Sequence, residues 1–333
     1  MGVCSYQSRP SNPNEAKDTS KKQTLRFQTS DSQQQQIKEL DQSPSMRRIN
    51  EENEEYDRKF KIVVNPDLKY QIGQIISQGP HGTVYEALSM KNGEQVAIKT
   101  VKSKKEHIEN IMNYLTKKLL NIDHLNLVNY IEVDETPNYE VSIVSELISG
   151  SSLHTVLSTF GKLNENICKL FTKQILCGLD HLQKQGSYHG NLKPQNIFVD
   201  KNGIVKMGDY FIISRKMLME ETAKTPIPKP ICYIAPEYLL FETKSSKSDI
   251  WSFGCILLEI LTNELPWRQY NYNLKHIKNS LKENKIPEIA RSISESARSF
   301  LLHCLVVQIT ERFTIKIASD CTEFEISRSG YFS

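Results

Sequence analysis

Residues 250–261 read Ile-Trp-Ser-Phe-Gly-Cys-Ile-Leu-Leu-Glu-Ile-Leu, apolar on nearly every side of a helix. A helix without a polar face has to be surrounded, so this run predicts a buried element with other structure packed around it. Its length, and the presence of Ser252 and Glu259, make it too short and too polar to cross a bilayer. It therefore needs a domain large enough to close over it. A chain of 333 residues supplies one large domain or two modest ones, and a hydrophobic content of 38% supports a real core.

The rest of the chain has two textures. Before Gly150, short β-branched segments are separated by turn signals, at 70–76, 83–88, 95–101, 127–133 and 141–146. Asn92-Gly93 is a hairpin signal between the second and third. A polar helix over 104–120 interrupts them, with Ile108, Ile111, Met112, Leu115 and Leu119 as its apolar residues. After Gly150, helical periodicity takes over. Ile167, Leu170, Phe171, Ile175, Leu179 and Leu182 recur at three- and four-residue spacing and predict one apolar stripe. A sheet-rich part followed by a helix-rich part predicts an α+β fold with two lobes. Pattern alone does not exclude an ordinary α+β domain without a site.

Residues 1–60 are expected to form a disordered tail, rich in Ser, Gln, Asn and charge, with a Gln33–Gln36 run and no sustained apolar period. Met1-Gly2-Val3-Cys4-Ser5 is close to a myristoylation start, although Tyr6 stands where the pattern wants Ser or Thr. Acyl groups on Gly2 and Cys4, aided by Lys21, Lys22 and Arg26, would give peripheral membrane contact. An unmodified tail is the other reading. Met1–Pro10 has no apolar run of the kind a secretory signal needs. The net charge of +3 gives no reason to expect a nucleic-acid partner. The 7 cysteines are scattered, without a C-x-x-C pair. That argues against a disulfide framework and against zinc, and for a reducing, cytoplasmic setting.

Chemistry enters with the segment 76–84, Ile-Ser-Gln-Gly-Pro-His-Gly-Thr-Val, between two expected strands. Glycines there would let backbone N–H groups approach phosphates closely; a plain hairpin is the bland alternative. Val96-Ala97-Ile98-Lys99 follows on the next strand. A lysine inside an apolar strand is costly unless its ammonium meets an anion. A triphosphate would supply one.

With these residues in view, the chain resembles the eukaryotic protein kinases over about three quarters of its length. His124-Leu125-Asn126-Leu127-Val128 resembles the family's H-P-N-I-V turn, and Ala235-Pro236-Glu237 matches A-P-E. Asp249-Ile250-Trp251-Ser252-Phe253-Gly254 matches D-x-W-S-x-G on the buried helix, and Arg312 stands where the family places the partner of the A-P-E glutamate. The stretch 146–196, with Ser149-Gly150-Ser151-Ser152-Leu153, is most similar to the MAP-kinase-kinase-kinase (Ser/Thr) branch.

The resemblance implies a two-lobed protein-kinase fold over residues 68–319. A small β-rich lobe carries one main helix, a larger lobe is α-helical, and 320–333 form a short C-terminal tail. It implies ATP and Mg as cofactors. Val84, Ala97 and Phe198 would sandwich adenine, the backbone of Glu146 and Ile148 would meet its edge, and the small Ser145 would leave the pocket open. Ser77, Gly79 and Gly82 would cover the phosphates, Lys99 would neutralise them, and Asn196 and Asp209 would hold the metal. That these residues only maintain the fold is the other reading.

The departures from the family pattern are as informative as the matches. Tyr188-His189-Gly190-Asn191-Leu192-Lys193-Pro194-Gln195-Asn196 aligns with H-R-D-L-K-P-x-N, so Asn191 stands where the family has its catalytic aspartate. An amide can hydrogen-bond a hydroxyl but cannot take its proton. General-base terms are worth ~10²–10⁴ in rate, whereas positioning and charge neutralisation, including that by Lys193, can sustain a residual rate. Gly190 removes the arginine that binds an activation-segment phosphate, although Thr222 and Thr225 could still be modified. Asp209-Tyr210-Phe211 replaces D-F-G; Tyr210 can pack like Phe but its hydroxyl wants a partner, and Phe211 removes a hinge glycine. Lys229-Pro230 stands for Gly-Thr, and Ser77 for the first glycine of the phosphate loop.

The family also places a glutamate nine residues before the H-P-N histidine, to pair with the strand lysine. Here that position is Leu115, no acidic residue occurs between Asn110 and Ile122, and Glu109 is about a turn and a half too early. Lys99 is thus expected to lack its usual partner. Together the substitutions lead to a pseudokinase that keeps ATP-Mg binding and regulates or scaffolds a related protein kinase. The alternative is an atypical but active Ser/Thr protein kinase that transfers the ATP γ-phosphate to a protein hydroxyl.

Overall fold

The computed structural model describes residues 69–79, 82–103, 105–136, 140–210 and 229–324. The N-terminal tail with Gly2 and Cys4, the segment with Phe211, Thr222 and Thr225, and the last nine residues lie outside the described residues.

The first lobe is a five-stranded antiparallel sheet with strand order β1-β2-β3-β5-β4. The strands are β1 (Tyr70–Gly79), β2 (Gly82–Ser89), β3 (Gln95–Lys102), β4 (Tyr130–Glu135) and β5 (Glu140–Glu146). Asn92-Gly93 turns the β2–β3 hairpin as the sequence predicts. Gly93 has φ 75°, and its N–H bonds Ser89 at 2.9 Å. One expected strand is displaced. The spacing predicts a strand from Leu127, but Leu127 and Val128 pair with Met207 instead, Val128 N–H reaching Met207 O at 2.9 Å. Strand β4 therefore begins only at Tyr130.

Strand alternation gives the sheet two different faces. Ala87, Val96, Ile98 and Val144 form a small outer cluster with Tyr70. On the other face Val101, Val141 and Ile143 join the main core, where helix α1 (Lys105–Leu119) lays Ile108, Ile111, Leu115 and Leu119 on them. Leu115 is buried in this apolar layer, and Glu109 is exposed.

The second lobe carries a small sheet, β6 (Gly150–Ser152), β7 (Ile197–Asp200) and β8 (Val205–Met207). Its helices are α2 (Leu153–Phe160), α3 (Glu165–Lys184), α4 (Pro236–Phe241), α5 (Ser246–Thr262), α6 (Leu274–Lys282), α7 (Glu295–Cys304) and α8 (Ile315–Asp320). Helix α5 contains the apolar run and is buried around most of its circumference, as its composition requires. A Cβ on Gly254 would lie 2.9 Å from the Cys304 Cβ, so this glycine sets how closely α7 packs on α5. The α3 stripe needs one correction. Phe171, Ile175, Leu179 and Leu182 are buried, but Leu170 is 48% exposed because it projects from the opposite side of the helix. The expected boundary at 319 also falls inside α8, and the fold runs on to Phe324, buried against Phe300 with ring centroids 5.2 Å apart.

Among the described residues Cys177 is exposed, the other five cysteines are buried, and all are free thiols. No described helix is long and apolar enough to cross a membrane.

Candidate nucleotide site

The register of the five-stranded sheet puts the expected pocket residues on one face. Ser77 pairs with Val84, Val84 with Lys99, and Lys99 with Ile143; on the next row Ala97 pairs with Ser145. Residues directly opposite in antiparallel strands share a face. Val84, Ala97, Lys99 and Ser145 therefore form one surface, with Ser77 at its edge. Gly82 has φ 118°, and a Cβ there would fall 2.1 Å from the Thr100 carbonyl oxygen, so only glycine closes this turn. Gly79, its β1 partner, has open space around its Cα.

Glu146 ends β5. Its carboxylate accepts the Lys206 ammonium and the Asn129 N–H, both at 2.8 Å, so its charge is matched within the chain. The Ser145 hydroxyl donates to the Glu146 carbonyl at 3.3 Å, and the Ile148 carbonyl accepts Gly150 N–H at 2.9 Å. Phe198, on β7, lies against Gly208, where a Cβ would meet its ring at 3.2 Å.

The remaining residues meet around Asp209. Lys99 Nζ donates to both Asp209 carboxylate oxygens at 2.8 Å. Lys99 lacks the usual helix partner, whose position Leu115 fills, but it meets an anion within the chain. With Leu115 turned into the core, the lysine has taken the carboxylate 110 residues downstream. Burial alone would push the Asp209 carboxyl up, but Lys99 above all, with Lys193, holds it below the usual carboxylate range. Burial lowers the Lys193 ammonium, against the pull of Asp209.

Asp209 sits in the left-handed backbone region at φ 57°. Two tyrosines hold that segment. Asp209 N–H donates to the Tyr130 hydroxyl at 2.9 Å, and the Tyr210 hydroxyl donates to the Val128 carbonyl at 2.7 Å. The partner expected for Tyr210 is thus a backbone oxygen of the segment between α1 and β4. The Tyr130 and Tyr210 rings meet edge to face at 5.2 Å, and His189 meets Tyr210 at 6.0 Å. Burial pushes His189 down to about 4, so its ring is neutral at physiological pH. Nothing in the local sequence marks Tyr130 for this role.

Asn191 donates from its amide nitrogen toward the Asp209 carbonyl at 3.4 Å, and its own carbonyl accepts Asn196 Nδ2 at 2.8 Å. Gly208 N–H bonds the Asn196 carbonyl at 2.8 Å. This loop is anchored from below by α5. The two Asp249 oxygens accept His189 N–H at 2.7 Å and Gly190 N–H at 2.8 Å. Gly190 has φ 73°. The Arg312 pairing also holds: the guanidinium, fully buried, meets the Glu237 carboxylate at 2.8 and 3.0 Å.

The structure therefore brings Lys99, Asn191, Asn196 and Asp209 into one bonded group, with Lys193 in electrostatic contact and the sheet face above. This group fits a polyphosphate, because two ammonium groups face it. A divalent cation would have to compete with Lys99 for the Asp209 carboxylate. Magnesium needs oxygen ligands; the Asp209 oxygens are shared with Lys99, whereas the bond from Asn196 to Asn191 uses its amide nitrogen and not its oxygen.

The comparisons agree with the two-lobed fold. The protein kinase domain family matches residues 70–322. Mitogen-activated protein kinase kinase kinase 2 of Arabidopsis thaliana is 32% identical over 257 residues, covering 73% of this chain and 39% of that protein. Mitogen-activated protein kinase kinase kinase ANP1 of the same plant is 32% identical over 254 residues, covering 72% and 37%. Cytokinesis protein sepH of Aspergillus terreus is 31% identical over 274 residues, covering 80% and 19%. The chain thus spans well under half the length of these relatives. Protein kinase domains generally use ATP and magnesium. From the aligned motifs, the two lobes and these matches together, the chain belongs to the eukaryotic protein kinase family, with its likeness to the MAP-kinase-kinase-kinase branch.

Proposed function

We propose that this protein is a pseudokinase, a kinase-fold protein that binds ATP and regulates or scaffolds a related protein kinase without efficient phosphotransfer of its own. One observation carries the reading. At the position of the general base, Asn191 presents an amide that donates toward the Asp209 carbonyl, and an amide cannot accept a substrate proton. Leu115 supports it, because the helix that would supply the ion-pair partner of Lys99 contributes an apolar anchor instead. The sheet face of Val84, Ala97 and Lys99 supports nucleotide binding. Its likeness to MAP-kinase-kinase-kinases makes a kinase of such a cascade the natural partner. The proposal places the protein in the cytoplasm, with acyl groups on Gly2 and Cys4 as its membrane contact.

The second reading, a slow Ser/Thr kinase, draws on the retention of Lys193, Asn196 and Asp209. A radiolabelled phosphotransfer assay on the purified full chain separates the two. We expect the wild type to match Asp209→Ala background, with any gain confined to Asn191→Asp. Wild-type transfer that Asp209→Ala abolishes would overturn the pseudokinase reading.

A further inference from the structure

We infer that this cleft binds a nucleoside polyphosphate without a divalent cation, with Lys99 and Lys193 meeting the phosphates directly and Asp209 acting as counter-ion to Lys99. The inference rests on the nucleotide-binding reading above and specifies its chemistry.

The local charge balance favours direct contact between lysine and phosphate. The resemblance calls for three carboxylates around two lysines, at positions 115, 191 and 209. Two of them are gone, replaced by Leu115 and Asn191, while Lys99 and Lys193 both remain. With all three acids the cluster would carry one surplus negative charge, which repels a polyphosphate until a cation screens it. With Asp209 alone it carries one surplus positive charge. The further acid on the sheet face is Glu86, opposite Ala97, whose carboxylate accepts the Gln74 and Gln95 amides at 3.1 and 3.2 Å, and Glu146, opposite Val96, is matched by Lys206 at 2.8 Å.

Geometry points the same way. Lys99 Nζ lies 2.8 Å from each Asp209 oxygen, and its side chain is 16% exposed. A divalent cation at Asp209 would have to compete with that ammonium for the carboxylate and would sit beside two like-charged lysines, which repel it. The Asp209 backbone is held in place by the Tyr130 hydroxyl at 2.9 Å. The carboxylate therefore has a fixed origin close to Lys99. An incoming phosphate asks for no such exchange. It adds anionic oxygens to lysines that already have charge to spare, and a lysine ammonium has three donors to divide between partners.

The test is ATP titration of the full chain by calorimetry, in excess magnesium and in excess EDTA. We expect dissociation constants within about threefold of each other. Asp209→Asn should bind ATP more tightly than wild type in EDTA, because it releases Lys99, and Lys193→Gln should bind more than about tenfold less tightly. The melting temperature of each variant without nucleotide reports whether it folds, and the wild-type comparison decides if one does not. Binding that weakens more than about tenfold in EDTA overturns the inference and leaves the nucleotide reading standing. No binding in either condition overturns both.

Discussion

Asn191 and Gly190 show two ways in which one residue changes a catalytic loop. Asn191 keeps the shape of the aspartate it replaces and loses the proton acceptor. Gly190 removes a side chain from a backbone position that disfavours one. At φ 73° it occupies the left-handed region, and a Cβ there would lie 3.1 Å from the Tyr188 ring. The loop's other constraints stay in place: Asp249 accepts the Gly190 N–H, and Lys244 donates to the Gly190 carbonyl at 2.8 Å. Gly190→Ala should therefore destabilise by about 1–2 kcal/mol, lowering the melting temperature by roughly 2–4 °C per kcal/mol. Thermal unfolding checks it, and an unchanged melting temperature would show that the backbone here is relaxed. The glycine was legible in the sequence as a missing arginine. Its backbone conformation was not, because φ at that position is set by Asp249, 59 residues away.

At the scale of elements, helix α5 was the most legible part of the chain and α1 the most deceptive. The α5 run is apolar nearly all round, and the structure buries it nearly all round. Gly254 within it is a packing residue. Gly254→Ala would push Cys304 and Leu305, at the end of α7, away from α5, because a Cβ would come within 2.9 and 3.0 Å of them. Overpacking of that kind costs about 1–3 kcal/mol, so urea unfolding should show a lower midpoint with an unchanged slope. A lower slope instead would indicate that the native lobe has loosened. Helix α1 has the right apolar spacing, and its existence and span follow from it. Its consequence for the cleft appears only when Leu115 is seen among Ile108, Ile111, Val141 and Ile143. The family's ion pair has been replaced by apolar packing, so the position of α1 does not depend on a charge contact with Lys99.

For the whole molecule, two buried carboxylates in α5 set a pH dependence. Burial pushes Glu259 up to about 7, although the Tyr233 hydroxyl, 2.6 Å away, opposes the shift, and burial likewise pushes Asp249 up to about 7. Between the ordinary carboxylate range and about 7 the folded state holds protons that the unfolded chain has released. Stability should therefore fall as pH rises through that window and level off above it. Glu259→Gln removes one of the two groups while keeping an oxygen for Tyr233. We expect its melting temperature to gain on the wild type as pH is raised from about 5 to about 8. A difference that stays constant with pH would mean that Glu259 does not titrate in that range.

The sequence by itself determined the two textures, the buried central helix, the order of the motifs and the residues lost from the catalytic pattern. Each of these depends on composition or on spacing within one segment, and local sterics and periodicity are enough to read them. Only the tertiary structure decided what Lys99 pairs with. Its anion, Asp209, lies 110 residues downstream and is held by hydroxyl and backbone contacts from Tyr130 and Val128. Several acids and a nucleotide were all chemically acceptable partners for a lysine in an apolar strand. The choice among them was made by which groups the folded chain carries to within 3 Å of the ammonium, and no residue near Lys99 in the sequence records that distance.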